Sequence, residues 1–359
     1  MLLSVLLLHV TALLLANGLP AERGDSGLAE ELQALKDRLT IAEKEVKELK
    51  DVPRVAFSAS LGGNGLVSTK YGQNLIYKDV ITNIGDAYNL QTGVFTAPVK
   101  GLYYVRFTAN APTSRTMSAV LYKGNSVLLI AHEQPSGEGS DTASNGGAVL
   151  LEKGDELHMN LWPNTQIWDN SNRHSTFTVF LLYPVKGEEE GKGEERPKEE
   201  PKPEELQALK DRLAIVEKEL KELKDVPRVA FSASLGGNGL VSTTFGQNLI
   251  YKDVITNIGD AYNLQTGVFT APVKGVYYVR FTANAPTSGT MSAVLYKGKK
   301  VLLIVHEQPS GEGSDTASNG GAVLLEKGDE LHMNLWPDTQ IWDNSNRHST
   351  FTIFLLYPV

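Results

Sequence analysis

The sequence predicts an all-β protein made of two jelly-roll sandwiches, each preceded by a short helical stem. Three observations predict it. Residues 52–185 recur at 226–359 with a constant offset of 174, no gap and nine differences, so a whole domain is written twice. Inside each copy, apolar residues alternate with polar ones over short runs separated by Gly-rich turns, which is the pattern of half-buried strands. Before each copy stands a run whose leucines are spaced alternately three and four residues apart, which is the pattern of a helix.

In chain order, MLLSVLLLHVTALLLANG (residues 1–18) is apolar from Leu2 to Ala16 except for Ser4, His9 and Thr11. That length suits a signal-peptide core, and Ala16 and Gly18 stand at cleavage spacing, so secretion to the extracellular space is expected. Residues 28–50 form a heptad seam, with Leu32, Leu39 and Val46 at a and Leu28, Leu35, Ala42 and Leu49 at d. A strict 3.5-residue seam is a narrow stripe suited to a partner helix, so a coiled coil is expected. Pro53 stops it.

Residues 53–185 are the first β domain, with about ten strands expected. VRFTA sets Val105 and Phe107 on one face and Arg106 and Thr108 on the other. LHMNLW sets Leu157, Met159 and Leu161 against His158, Asn160 and Trp162. Turn signals recur at Gly62-Gly63-Asn64-Gly65, Lys123-Gly124-Asn125 and Lys153-Gly154-Asp155. Residues 186–205 consist only of charged residues, Gly and Pro, and read as a disordered, extended linker. Residues 205–224 repeat the seam, with Leu206, Leu213 and Leu220 at a and Leu209, Val216 and Leu223 at d; residues 227–359 are the second β domain.

Tyr77, Asn83, Tyr88, Phe95, Gly101, Tyr103 and Phe107, repeated as Tyr251, Asn257, Tyr262, Phe269, Gly275, Tyr277 and Phe281, reproduce the spacing of the C1q domain signature. The closing STFTVFLLYPV resembles that family's last strand. Tyr77 and Tyr251 stand where Phe is usual, Val105 and Val279 where an aromatic is usual, and Val179 and Ile353 where Gly is common. All keep an apolar or aromatic side chain. Residue chemistry agrees with the resemblance: Gly101 is expected to permit a tight turn, and Tyr103, Val105 and Phe107 to alternate into the core. The sequence is most similar to secreted cerebellin-like and complement C1q-like proteins without a collagen stem. That resemblance implies a ten-stranded jelly roll of the tumour necrosis factor type assembling as a homotrimer or a higher multimer. No Gly-X-Y run is present, so activation of the classical complement pathway is not expected.

Composition and motifs exclude several function classes. A net charge of −8, with no Lys/Arg cluster among aromatics, argues against nucleic-acid binding. No apolar run has membrane-spanning length, so no membrane insertion is expected. There is no cysteine and no Asn-X-Ser/Thr sequon. No hydrolase elbow, phosphate loop or zinc signature accompanies the histidines, so no enzyme and no cofactor are expected. PSGEGSDTASNGG (135–147) carries Glu138 and Asp141, but its spacing matches no calcium loop, and it reads as a solvated loop.

The binding candidates lie in WPNTQIWDNSNRH. They are Trp162, Asn164, Gln166, Trp168, Asp169, Asn170 and Arg173, with Trp336, Asp338, Gln340, Trp342, Asp343, Asn344 and Arg347 in the copy. Tryptophan beside amide and carboxylate groups suits sugars, small polar ligands or a protein partner. The function expected is a non-enzymatic, multimeric recognition module for a microbial surface, a glycan or an extracellular receptor. The other reading is a matrix component cross-linking through its two heads.

Overall fold

The computed structural model describes residues 25–63, 65–135, 139–185, 203–237, 239–309 and 313–359. The expected leader, most of the expected linker, and Glu138 lie outside them. Two compact units result, one of helices and one containing both β domains.

The helical unit pairs α1 (Asp25–Lys50) with α2 (Pro203–Lys224). Leu35, Leu39 and Ala42 of α1 and Leu213 of α2 are buried together, with Leu206, Leu209, Val216 and Leu220 packed around them. Among the described residues, ion pairs join Glu31 to Lys210, Lys36 to Glu205, Arg38 to Glu217, Glu43 to Arg212, Glu45 to Lys224 and Lys50 to Glu219. Residue numbers rise together along both helices, so the pair is parallel. Each bridge links positions flanking the seam, g on one helix to e on the other. All these groups are solvated, so each pair adds at most about 1 kcal/mol and chiefly fixes register.

The first head has thirteen strands rather than about ten, because short bridging segments count. They are β1 (Ala56–Ser60), β2 (Gly65–Thr69), β3 (Gln73–Leu75), β4 (Asp79–Ile84), β5 (Tyr88–Asn89), β6 (Val94–Thr96), β7 (Gly101–Pro112), β8 (Met117–Lys123), β9 (Ser126–Glu133), β10 (Ser140–Leu151), β11 (Glu156–Leu161), β12 (Thr165–Asp169) and β13 (Thr176–Pro184). One sheet runs β2-β12-β7-β13-β1-β4, with β10 also on β7; the other runs β5-β6-β11-β8-β9, with β3 also on β11. All pairings are antiparallel, and their facing sides enclose one aromatic-rich core. The second head repeats this order as β14–β26.

The signature residues hold the core together. Phe57 stacks on Tyr88 at 3.9 Å, and Phe177 meets both edge-on. The Tyr88 hydroxyl accepts from the Tyr77 backbone amide at 2.9 Å, and burial pushes it up to about 12. Asn83 Nδ2 donates to the Tyr88 carbonyl, which secures the strand pair beneath. Phe95 meets Tyr103 edge-on at 6.0 Å, and the Tyr103 hydroxyl donates to the Val99 carbonyl.

Gly101 has a different role from the tight turn expected. Its φ is outside the left-handed region; a Cβ there would lie 2.5 Å from Leu181 Cδ1 and 2.9 Å from the Tyr183 carbonyl oxygen. Close approach across the β7–β13 bulge requires glycine. Gly101→Ala should lower stability by about 1–3 kcal/mol, read as a drop in the thermal midpoint; an unchanged midpoint would refute this account.

Val105 and Phe107 enter the core as expected. Arg106 and Thr108, expected on an outer face, are buried too, because the second head covers that face.

Candidate functional site

The two heads pack as one unit, with β23 (Ser314–Leu325) of the second lying across β1, β4, β7, β10 and β13 of the first. The buried Arg106 guanidinium donates to the Ser318 carbonyl and to Ser318 Oγ, both at 2.8 Å, and to Thr108 Oγ1. Thr176 Oγ1 donates to Asn319 Oδ1 at 2.8 Å, while Asn319 Nδ2 donates to the Arg173 carbonyl. Ala56 and Phe180 meet Val276, Tyr278 and Ala322 in a small apolar cluster.

Beside this contact lies a cleft of about 360 Å³. The first head supplies Asn110, Pro112, Gly139, Ser140, Trp168, Asn170, Asn172 and His174; the second supplies His306, Gln308 and Trp336. The cleft has the size of a small-ligand site and the mixed lining such sites use: two indoles with amides and imidazoles around them. Its position follows from the fold. Trp168 is the penultimate residue of β12, after which the chain turns through Asn170–Arg173 before β13, and Arg173 adopts the left-handed conformation with φ 62°. Trp168 meets the His174 ring edge-on at 4.9 Å, and His174 lies 6.3 Å from His306 of the other head.

Burial keeps the histidines neutral. The His174 imidazolium would be desolvated and would face His306, which together push its pKa down to about 3; desolvation also lowers His306. His174 Nδ1 is buried without a hydrogen-bond partner. Next to His306, the Glu307 carboxyl is held well above the usual range by burial and then by Asp141 of the first head. Burial, followed by Asp141 and Asp315, raises Glu133.

The expected binding residues divide into three groups. Trp168, Asn170 and Trp336 are brought together in the cleft, although the sequence assigned them to two equivalent loops. Gln166, Gln340, Asp169 and Asp343 serve the fold. Gln166 Nε2 donates to the Pro112 carbonyl and Gln340 Nε2 to the Pro286 carbonyl, each at 2.7 Å. Asp169 accepts from the amides of Gly62, His174 and Ser175, and Asp343 from those of Gly236, His348 and Ser349. The chain thus forms its own lining out of carboxylates that had looked free for ligand. Arg173 and Arg347 bridge Asp79 and Asp253 in bidentate fashion.

The remaining candidates sit elsewhere. Trp162 is partly exposed, with its Nε1 donating to Tyr122 Oη at 3.0 Å. Asn164 and Asp338 hold left-handed turn positions, Trp342 leans on His348, and Asn344 Oδ1 accepts from the Asn346 amide. Asn172 and His174 lie within the WPNTQIWDNSNRH segment but were not among the named candidates, and His306 and Gln308 were missed. Among the described residues no three His, Asp or Glu side chains are placed to hold a metal ion. No described helix is long and apolar enough to cross a membrane.

Comparison with known proteins locates the heads. Complement C1q tumor necrosis factor-related protein 3 of Mus musculus and of Homo sapiens are each 32% identical over 135 residues, which is 37% of this chain and 53% of theirs. Caprin-2 of Danio rerio is 30% identical over 131 residues, 36% of this chain and 14% of that protein. The chain thus spans about half the length, or less, of these curated relatives. Among solved structures, the globular domain of zebrafish complement 1qA aligns at 22% identity and TM-score 0.30, over 37% of this chain and 99% of its own. Eiger TNF from S. frugiperda aligns at 16% identity and TM-score 0.32, over 39% and 99%. The C1q domain profile matches residues 56–182 and again 230–356. The chain therefore belongs to the C1q domain family and carries its domain twice.

Proposed function

We propose that the protein is a secreted, non-enzymatic recognition module that captures a small polar or glycan determinant of an extracellular surface in the cleft between its heads. One observation carries this reading: Trp168 of the first head and Trp336 of the second line a single cleft of about 360 Å³ with Asn170, Asn172 and Gln308 between them. Indole faces stack on the apolar face of a sugar ring while amides match its hydroxyls, which is why this lining suits such a ligand. The kinship of the heads to proteins named for complement C1q and tumour necrosis factor supports a binding role outside the cell.

The test is a microbial polysaccharide and glycan array probed with the full chain, followed by calorimetry on the best hit. Trp168→Ala and Trp336→Ala should each weaken binding at least tenfold, since each removes one wall. Trp342→Ala, whose indole lies outside this cleft, should leave the affinity within about twofold. Equal losses from all three variants would refute a composite site and return the binding to separate loops.

A further inference from the structure

The two heads differ at nine positions, and four of these differences meet at one place. In the second head, β15 (Gly239–Thr243) pairs with β25 (Thr339–Asp343), which sets Ser242 opposite Gln340. The Asp338 amide donates to the Thr243 carbonyl at 2.8 Å, and the Gln340 amide donates to the Thr290 carbonyl at 2.9 Å. Three segments far apart in sequence therefore converge: the turn after β15, the loop before β21 (Met291–Lys297) and the turn before β25. They form an open pocket of about 500 Å³ against Ser242, Thr244, Gly289, Thr290, Asp338 and Gln340. The first head has Lys70 for Thr244, Arg115 for Gly289 and Asn164 for Asp338, with Tyr71 for Phe245 next to Lys70. The pocket shares no residue with the cleft between the heads.

Gly289 keeps the pocket open. A Cβ there would lie 2.8 Å from Gln340 Cδ, so a side chain at this position covers that amide. In the first head, where Arg115 stands, Gln166 is only 2% exposed, whereas Gln340 is part-exposed. The uncovered lining is rich in acceptors. Asp338 is exposed, and its carboxylate makes no ion pair among the described residues. Gln340 already donates its Nε2 to the Pro286 carbonyl, which leaves its Oε1 to accept. The hydroxyls of Ser242, Thr244 and Thr290 can accept or donate. Phe245, beside Thr244, is 92% exposed and offers an aromatic face at the rim. The first head puts donors in the same place. Lys70 and Arg115 have no acceptor atom, and Lys70 Nζ lies over the Tyr71 ring at 5.5 Å.

We propose that this pocket of the second head binds an amino sugar, and that the first head lacks the site. A pocket of acceptors calls for a ligand of donors. The ammonium group of an amino sugar pairs with the Asp338 carboxylate, and its ring hydroxyls meet Gln340 Oε1 and the Ser and Thr hydroxyls. Its apolar ring face covers Phe245. A lysine side chain has the charge but not the hydroxyls, so it uses less of the lining. In the first head Lys70 and Arg115 repel the ammonium and fill the space above the amide. The two heads are thus unequal, and the chain carries one such site rather than two.

The test is calorimetry of the full chain with a glucosamine tetramer, below the pKa of its amines. One binding site per chain is expected, and added salt should weaken it. Asp338→Asn and full N-acetylation of the tetramer should each weaken binding about tenfold. Thr244→Lys, Gly289→Arg and Asp338→Asn together write the first head's residues into the second. They should abolish binding with little change in thermal midpoint, because the first head carries them in the same fold. The reverse set, Lys70→Thr, Arg115→Gly and Asn164→Asp, should raise the count to two sites per chain. Trp168→Ala strips the cleft between the heads and should leave this binding unchanged, so the two sites fail or stand separately. Four results would each overturn the proposal: no binding of the tetramer, binding that survives the triple change in the second head, a count that stays at one in the reverse variant, or a trilysine peptide that binds as tightly as the sugar.

Discussion

Phe107→Ala is expected to lower the stability of the first head by about 3–5 kcal/mol, the usual loss when a buried phenyl ring leaves a cavity. The ring is fully buried, faces Phe177 across the β7–β13 pair, and stands between Arg106 and Thr108, which grip the second head. Loosening this strand therefore loosens the contact between heads. Calorimetry should resolve an early transition for the first head, with the second head melting below its unaltered midpoint because β23 has lost its cover. Phe281→Ala should weaken the second head by a similar amount, but β20 (Gly275–Pro286) touches no third head within the chain, so the first head should keep its own grip. A single unshifted transition in Phe107→Ala would show that the ring carries no packing.

The second large effect is on pH dependence. His174 titrates near 6.5 when unfolded and near 3 when folded. A depressed folded pKa means that its contribution is complete above pH 6.5 and is withdrawn as pH falls from there toward 3, by at most about 1.4 kcal/mol per pH unit. His306 acts in the same direction. Glu307 opposes them: its folded pKa is raised, so its contribution is complete below about 4.5, its unfolded value, and is lost as pH rises through the folded one. Glu133 is raised as well. Asp79, held low first by its hydrogen bond from Arg173, matters only below about pH 4.

Between pH 6.5 and 4.5 the two groups therefore pull apart, and variants separate them. Glu307→Gln should remove the more deeply buried of the two opposing carboxyls, leaving Glu133, so the thermal midpoint should fall more steeply on acidification than in the unaltered protein. His174→Phe, which keeps an aromatic edge against Trp168, should flatten or reverse that fall. Profiles for both variants that overlay the unaltered protein would refute the account.

These cases show what the sequence carried and what it hid. Tyr103, Val105 and Phe107 announce a core strand by alternation, and the core takes them as read. The same alternation set Arg106 and Thr108 on the opposite face, and a local pattern cannot tell whether solvent or a second copy of the fold covers that face. The repeat and the family resemblance hinted that such a copy was at hand, but neither says which residues it covers. Gly101 looked like a turn residue; the true constraint is a carbonyl from a strand some 80 residues later, and no local motif encodes that. Asp169 and Gln166 looked like ligand-binding groups. Amide donors that converge from Gly62, His174 and Ser175 are a tertiary fact, so the same residue types read equally well as site or as scaffold. The heptad spacing gave the seam, and the structure added its register and the choice of α2 as partner for α1.

The parallel pairing of α1 with α2 also bears on the order of events during synthesis. The helices are separated by about 150 residues, so joining them in an unfolded chain closes a long loop at an entropic cost of about 4–5 kcal/mol. Once the first head folds, its ends meet: the Leu181 amide donates to the Val55 carbonyl at 3.0 Å. The loop left to close then shrinks to roughly 25 residues, and the cost falls by about 1.5 kcal/mol. The first head emerges from the ribosome before α2 does, and can fold while α2 is still being made. By the time the second stem appears, much of the search for its partner is over, so the nascent chain is biased toward its own stem before it meets a neighbour's.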